Sequence, residues 1–109
     1  MQPTVTIEIY VTVQGRKPFI EWLHRLTDVK TRAVIRSRLN RIRLGNFGDC
    51  HSIADGVHEF RIDYGPGYRI YFGRAGMKIV LLLCAGTKGT QQKDIERAKS
   101  YWKEYVEEP

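Results

Sequence analysis

The sequence predicts an α+β domain in which helices pack on an antiparallel sheet. Three features predict it: a strand-like alternation at the start of the chain, two segments of helical periodicity after it, and three strand-like segments that precede a last helix. The 109 residues give room for one domain, 1–109, and 42% of them are apolar. An apolar fraction of this size supports a packed core and argues against a disordered chain.

The first half of the chain predicts a strand and a helical hairpin. β-Branched residues alternate with polar ones over Val5–Val13, which is typical of a strand with one buried face. Apolar residues then recur at helical spacing over Pro18–Leu26, and a proline suits the first turn of a helix. A second helix is expected between a cap at Thr27 or Asp28 and a stop at Gly45. Because almost no linker separates the two helices, we expect an antiparallel hairpin on one side of the sheet.

The second half predicts three antiparallel strands and a helix. Residues 46–56 have the composition of a loop and are expected to form one. Turn sequences separate strand-like segments at 58–63, 68–72 and 77–85, and the last of these is almost continuously apolar, as in a strand that is covered on both faces. A helix with an apolar stripe follows over 91–105. The predicted order of elements is therefore β-α-α-β-β-β-α.

Positive charge is concentrated in the predicted helical hairpin. The chain has a formal net charge of +6, and residues 16–44 hold nine Lys or Arg residues against Glu21 and Asp28, a net charge of +7. Such a segment indicates a polyanion or an acidic protein as partner, or else a solvated helix face. The arginines of the second helix are Arg32, Arg36, Arg38, Arg41 and Arg43.

The sequence lacks the features of membrane proteins, secreted proteins and several cofactor-binding proteins. The longest apolar run, 79–85, is far shorter than the roughly 18 residues of a membrane span, and the N-terminal segment lacks the pattern of a secretion signal. Cys50 and Cys84 are too few for a disulfide scaffold or a Cys-based zinc site, which favours the reducing cytoplasm. Phosphate-loop, dinucleotide and metal-ligand motifs are absent from the sequence, so we predict neither a metal site nor a cofactor.

The register of the first predicted hairpin brings two arginines together. The apolar residues of the segments at 58–63 and 68–72 must share one buried face, which requires a loop of three or five residues between the strands. Arg61 and Arg69 then lie on the opposite face, either directly paired or diagonal to one another. Tyr71 lies on that face as well, where its ring can stack on an unpaired base.

Two arginines side by side on a sheet repel one another unless an anion lies between them. A phosphate is one such anion, and an internal ion-pair lattice with Glu59 and Asp63 is the alternative. Lys88 follows the last predicted strand and can reach the same area. Because RNA carries its own nucleophile, the 2′-hydroxyl, cations that align and stabilise the phosphate can support its cleavage without a metal.

Three segments carry a resemblance to a known family. They are GVHEFRI at 56–62, GPGYRIYF at 65–72 and LLLCAGTK at 81–88, and a helix with Lys, Asp, Ile, Ala and Trp follows them. The sequence resembles the RelE/HigB toxins of type II toxin–antitoxin modules, most of all their phage-derived addiction-module killer branch. The resemblance extends over essentially the whole chain and implies a RelE-like, microbial RNase-like fold.

The resemblance implies an mRNA interferase, an endoribonuclease that enters the ribosomal A site and cleaves mRNA without a metal, which inhibits translation. Arg61 matches a basic position that holds phosphate or shares in proton transfer, and Arg69 matches the arginine that stabilises the transition-state phosphate. Lys88 matches a basic position that contacts the phosphate or the leaving group. Glu59 stands where some relatives have a lysine, and it is a candidate general base.

The resemblance also implies partners. The arginines of the second helix would contact ribosomal RNA or an acidic antitoxin. The cognate antitoxin is expected to be a helix-turn-helix protein, operator DNA is expected only through the toxin–antitoxin complex, and no membrane is expected. Two alternatives stay open: a gyrase poison of the ParE kind, and a non-enzymatic module that binds operator DNA together with its antitoxin.

Overall fold

A mixed five-stranded sheet with helices on both faces forms the protein, of which a computed structural model describes residues 4–107. The strands are β1 (Thr6–Ile9), β2 (Cys50–Ala54), β3 (Val57–Ile62), β4 (Tyr68–Ala75) and β5 (Ile79–Thr87). Their order across the sheet is β1-β5-β4-β3-β2. The helices are α1 (Pro18–Arg25), α2 (Val29–Arg43) and α3 (Gln91–Glu107), and a short 3-10 turn, Lys88–Thr90, leads into α3. Within the described range, none of these helices has the length and apolar character that crossing a membrane requires.

The predicted α+β class is confirmed, but residues 4–107 contain one strand more than predicted. The prediction of a loop over residues 46–56 was wrong in part, because Cys50–Ala54 forms β2. Cys50, His51 and Ser52 pair with the antiparallel β3 at the edge of the sheet. The sequence of β2 shows no apolar alternation, since this edge strand depends on pairing with its neighbour and buries little of its own surface.

The first strand is shorter than the alternation predicts. β1 ends at Ile9, and the chain turns farther on, where the amide of Gly15 donates to the carbonyl of Thr12. Val11 and Val13 are consequently 48% and 75% exposed instead of buried. β1 lies parallel to β5, so that the central apolar strand has a neighbour on each side. The sheet is therefore mixed, with an antiparallel meander from β2 to β5.

α1 and α2 pack on one face of the sheet. Phe19 and Trp22 of α1 and Ile35 and Ile42 of α2 are buried in one apolar cluster, to which Phe60 of β3 also belongs. Ile35 and Ile42 lie seven positions apart, so they fall on the same side of the second helix. Burial of these side chains removes apolar surface from water and fixes both helices on this face.

α3 covers the opposite face, and two glycines allow its close approach. Ala98 of α3 is completely buried. A side chain at Gly73 in β4 would overlap the ring of Trp102, and a side chain at Gly86 in β5 would overlap the carboxylate of Asp94. The start of α3 therefore lies directly on the end of β5, which places the first residue of the helix close to Glu59, the partner of Arg61 and Arg69.

Replacement of Gly86 with alanine is expected to destabilise the protein. The added methyl group would overlap Asp94 and lie 2.6 Å from Oγ1 of Thr90, so the start of α3 would have to move away from the sheet. Overpacking of this kind costs about 1–3 kcal/mol, which urea unfolding measures. Gly89→Ala is the matched control, because the nearest atom to its new methyl group lies at 3.6 Å. Equal stabilities of the two variants would contradict this packing.

Candidate functional site

Two arginines face each other directly across the β3–β4 hairpin. Arg61 pairs with Arg69, and Glu59 pairs with Tyr71, in the antiparallel register of the two strands. Five residues separate β3 from β4, one of the two loop lengths that the sequence allows. The predicted placement of both arginines on one face is therefore confirmed, in its directly paired form.

The carboxylate of Glu59 is the centre of the cluster. Its side chain has no exposed surface. Nε of Arg61 donates to Oε1 at 2.8 Å, and Nε2 of Gln91 donates to Oε2 at 3.0 Å. Nε of Arg69 lies 3.6 Å from the same Oε2, which is an ion-pair distance and too long for a hydrogen bond. Groups from β3, β4 and α3 thus converge on one buried anion.

The pKa of Glu59 lies below its usual range in spite of its burial. Burial alone would raise this pKa, but contacts with the side chains of Arg61, Tyr71 and Gln91 and the charge of Arg61 together lower it. The pKa of Tyr71 is raised, first by burial and then by the charge of Glu59. The hydroxyl of Tyr71 has no hydrogen-bond partner of ordinary geometry among residues 4–107. At neutral pH Glu59 is therefore ionised and Tyr71 is neutral.

The two arginines differ in exposure, and one carboxylate does not neutralise both. The side chain of Arg61 is 42% exposed and that of Arg69 is 10% exposed. Nε of Arg69 is buried and has no hydrogen-bond partner in the described part of the chain. The two guanidinium groups and the one carboxylate together carry a net charge of +1, although the charge of Asp49 also acts on Arg61. The internal ion-pair lattice that the sequence offers as the alternative exists at Glu59. It leaves the positive charge of the two arginines only partly neutralised.

Lys88 lies next to this cluster. Its backbone amide donates to the carbonyl of Gly67 at 2.9 Å, which joins the β3–β4 turn to the end of β5. Gly67 has a φ of +81°, and a Cβ there would lie 3.7 Å from Nη1 of Arg69 and 3.8 Å from Cβ of Lys88. Lys88 is exposed, so its ammonium group adds positive charge to the surface beside Arg69.

The arginines of α2 belong to a different surface. α2 packs on the face of the sheet opposite to the Glu59 cluster, and the guanidinium of Arg38 lies 5.4 Å from the ring centre of Phe60 on that face. Arg32 and Arg38 are half-buried. Three other arginines of this helix are exposed to solvent: Arg36, Arg41 and Arg43.

Two predicted roles do not fit the structure. Tyr71 is completely buried, so its ring cannot stack on a base as predicted; α3 covers the face that the sequence alone left open. Glu59 is equally buried and its two oxygens already accept hydrogen bonds, so it is out of reach of a substrate hydroxyl as a general base. Glu59 instead pairs with the two arginines, and Tyr71 lies buried beside Glu59.

Gln91 is the member of the site that sequence reasoning missed. In the sequence, residue 91 is only the first position of the helix predicted over 91–105. A polar residue at a position that faces the sheet is a signal, because a buried amide needs a partner. The partner is Glu59, which is 32 positions away in the sequence.

The fold and the site define a small α+β protein with a cationic surface cluster built around a buried carboxylate. No protein-family model matches the chain. Over 95 residues the chain is 44% identical to an uncharacterized protein of Haemophilus influenzae (strain Rd), and this match covers 87% of the chain and 92% of the Haemophilus protein. The chain therefore belongs to the same family as that protein.

Glu59→Gln is expected to lower the stability at neutral pH by about 1–3 kcal/mol, because Arg61 and Arg69 lose their anion. The pKa of Glu59 is lower in the folded protein than the ordinary 4.5 of the unfolded chain. The ionised carboxylate therefore stabilises the fold above pH 4.5, and this contribution is lost as the pH falls through the folded-state pKa. The difference in stability between wild type and variant should shrink there.

Urea unfolding at a series of pH values tests this linkage. The matched control is Glu96→Gln, because the side chain of Glu96 on α3 is 62% exposed and its pair with Lys99 is a surface one. A stability difference between wild type and Glu59→Gln that stays constant from neutral pH to well below 4.5 would contradict the role of the ionised carboxylate.

Proposed function

We propose that this protein is the toxin of a type II toxin–antitoxin module with a RelE-like fold, and that it cleaves mRNA on the ribosome without a metal. The observation that carries the proposal is the direct pairing of Arg61 and Arg69 around a single buried carboxylate. This arrangement is a cationic site with fixed geometry and an excess positive charge at the surface. A phosphodiester is an anion that two arginines side by side can bind.

The proposed reaction uses the nucleophile that RNA itself provides. The 2′-oxygen attacks the adjacent phosphorus and loses its proton, the bond from phosphorus to the 5′-oxygen breaks, and that oxygen gains a proton. The products are a 2′,3′-cyclic phosphate and a 5′-hydroxyl. The protein has to align the two reacting groups and stabilise the additional negative charge on the phosphate.

Arg69, Arg61 and Lys88 supply this stabilisation in the proposed site. Glu59 contacts both guanidinium groups from the side of Nε. The terminal nitrogens of both arginines are the groups that would meet the oxygens of a phosphate. Lys88 adds an exposed charge beside Arg69, suited to the leaving 5′-oxygen. Glu59 is a positioning residue in this scheme.

The exposed arginines of α2 provide a second contact with RNA. They lie on the opposite side of the sheet from the Glu59 cluster, so the protein presents positive charge in two directions. A small protein inside a cavity lined by ribosomal RNA meets phosphates on both sides. We propose that α2 binds ribosomal RNA while the cluster binds mRNA.

Arg69→Ala is expected to reduce mRNA cleavage by about a hundredfold or more, because it removes a preorganised donor from the transition state. Growth after induction and primer extension on cellular mRNA measure the effect. Arg25→Ala, an exposed arginine of α1, changes the net charge equally and should cleave like the wild type. Since Arg69 is buried and its variant can fail to fold, exposed Lys88→Gln is tested beside Lys78→Gln, with a loss of activity expected only for Lys88→Gln.

Two results would favour the two alternative functions, the gyrase poison and the non-enzymatic module. Intact mRNA together with gyrase-dependent DNA breaks would contradict the nuclease and favour a ParE-like poison. A wild-type protein that never arrests growth would favour the non-enzymatic module that binds operator DNA with its antitoxin. Undiminished cleavage by Arg69→Ala and Lys88→Gln would remove the chemical basis of the proposal.

Replacement of the three exposed arginines of α2 (Arg36, Arg41 and Arg43) with glutamine is expected to weaken ribosome binding. The binding that remains should depend less on the salt concentration. The slope of log affinity against log salt should become shallower by about 0.7–0.9 for each phosphate that the variant no longer neutralises. Sedimentation with ribosomes over a range of salt concentrations measures both quantities. A matched control neutralises three lysines that lie elsewhere: Lys78, Lys99 and Lys103. Equal slopes for the two triple variants would contradict docking through α2.

A further inference from the structure

We propose that Gln91 is a positioning residue that keeps the guanidinium of Arg69 available for phosphate by satisfying the carboxylate oxygen that lies nearest to Arg69. This inference rests on the proposed function in one respect, the binding of a phosphate by Arg69. It goes beyond that function because it assigns a role to a residue of α3 that contacts neither RNA nor the reacting atoms.

Two donors compete for one oxygen of Glu59. Nε2 of Gln91 lies 3.0 Å from Oε2, a normal hydrogen bond, whereas Nε of Arg69 lies 3.6 Å from it and makes none. The other oxygen already accepts from Arg61 at 2.8 Å. The buried carboxylate therefore has its hydrogen bonds from Arg61 and Gln91, and the nearby Nε of Arg69 is left without one.

The position of Gln91 is fixed by the start of α3. Thr87 and Thr90 form a reciprocal capping box around the 3-10 turn, and Oγ1 of Thr90 donates to the carboxylate of Asp94 at 2.5 Å. Gly86 lets this segment lie directly on β5. Gln91 follows as the first residue of the helix, so its amide is held over Glu59 by contacts that do not involve the arginines.

Removal of the Gln91 side-chain amide should leave Oε2 of Glu59 without its hydrogen bond. A buried carboxylate that loses a hydrogen bond attracts the unpaired donors beside it, which are Nε of Arg69, 3.6 Å from Oε2, and the hydroxyl of Tyr71. The charged donor makes the stronger bond of the two, so Arg69 is favoured. Arg69 would then bond to Glu59, move away from the surface, and be more nearly neutralised. The affinity of the site for phosphate should fall, although every residue proposed to contact phosphate is still present.

Gln91→Leu tests this inference, because leucine keeps most of the volume and removes the donor. Inorganic phosphate is titrated into wild type and variant while NMR follows the Nε–H signals of Arg61 and Arg69. We expect phosphate binding about three- to tenfold weaker in the variant, the loss that corresponds to one hydrogen bond. Before phosphate is added, the Nε–H signal of Arg69 should already be shifted as in a bond to carboxylate. Gln92→Leu, an exposed neighbour on α3, is the matched control.

The outcomes separate this inference from the proposed function. Equal phosphate affinities for wild type and Gln91→Leu, with an unmoved Arg69 signal, would overturn the role of Gln91 whatever the nuclease assay shows. A purely structural role of Gln91 would lower the unfolding midpoint and leave phosphate affinity of the folded protein unchanged, which also overturns it. Weaker phosphate binding in the variant, together with a wild type that cleaves no mRNA, would support the inference and contradict only the nuclease.

Discussion

A carboxylate without any exposed surface lies between two guanidinium groups at the centre of this protein's candidate site, and the arrangement of the site depends on it. Without Glu59, Arg61 and Arg69 would face each other across the hairpin and lack the buried anion between them. With it, both arginines are held in place and the cluster still has more positive than negative charge. The carboxylate of Glu59 thus holds the two arginines in fixed positions without neutralising both of them.

The fold supports this site from two sides. The β3–β4 hairpin sets the spacing of the arginines through its register, and the glycine at 86 lets α3 approach closely enough for Gln91 to reach Glu59. The helices on the other face provide a core and a separate basic surface. A local feature of the sequence, small residues at the end of β5, therefore has a direct effect on the electrostatics of the site.

Much of this arrangement could be predicted from the sequence, and the reasons for the rest are physical. The alternation of period two and the short loop determine which residues share a face of a hairpin. The placement of Arg61 and Arg69 on one face could therefore be predicted. The burial of Tyr71 and Glu59 was not, because it depends on where α3 lies on the sheet. β2 was missed for a similar reason, since an edge strand is stabilised by its neighbour and shows no alternation of its own.

The most direct measurement compares the cleavage of two ribosome-bound mRNAs. One is ordinary mRNA, and in the other the nucleotides of the A-site codon carry 2′-hydrogen in place of the 2′-hydroxyl. If the protein only aligns a phosphate and stabilises its charge, it should cleave the ordinary mRNA to a 2′,3′-cyclic phosphate and a 5′-hydroxyl, and leave the deoxy-substituted mRNA intact. Cleavage of both messages at equal rates would mean that the nucleophile comes from elsewhere. The cationic cluster around Glu59 would then not act in the way described.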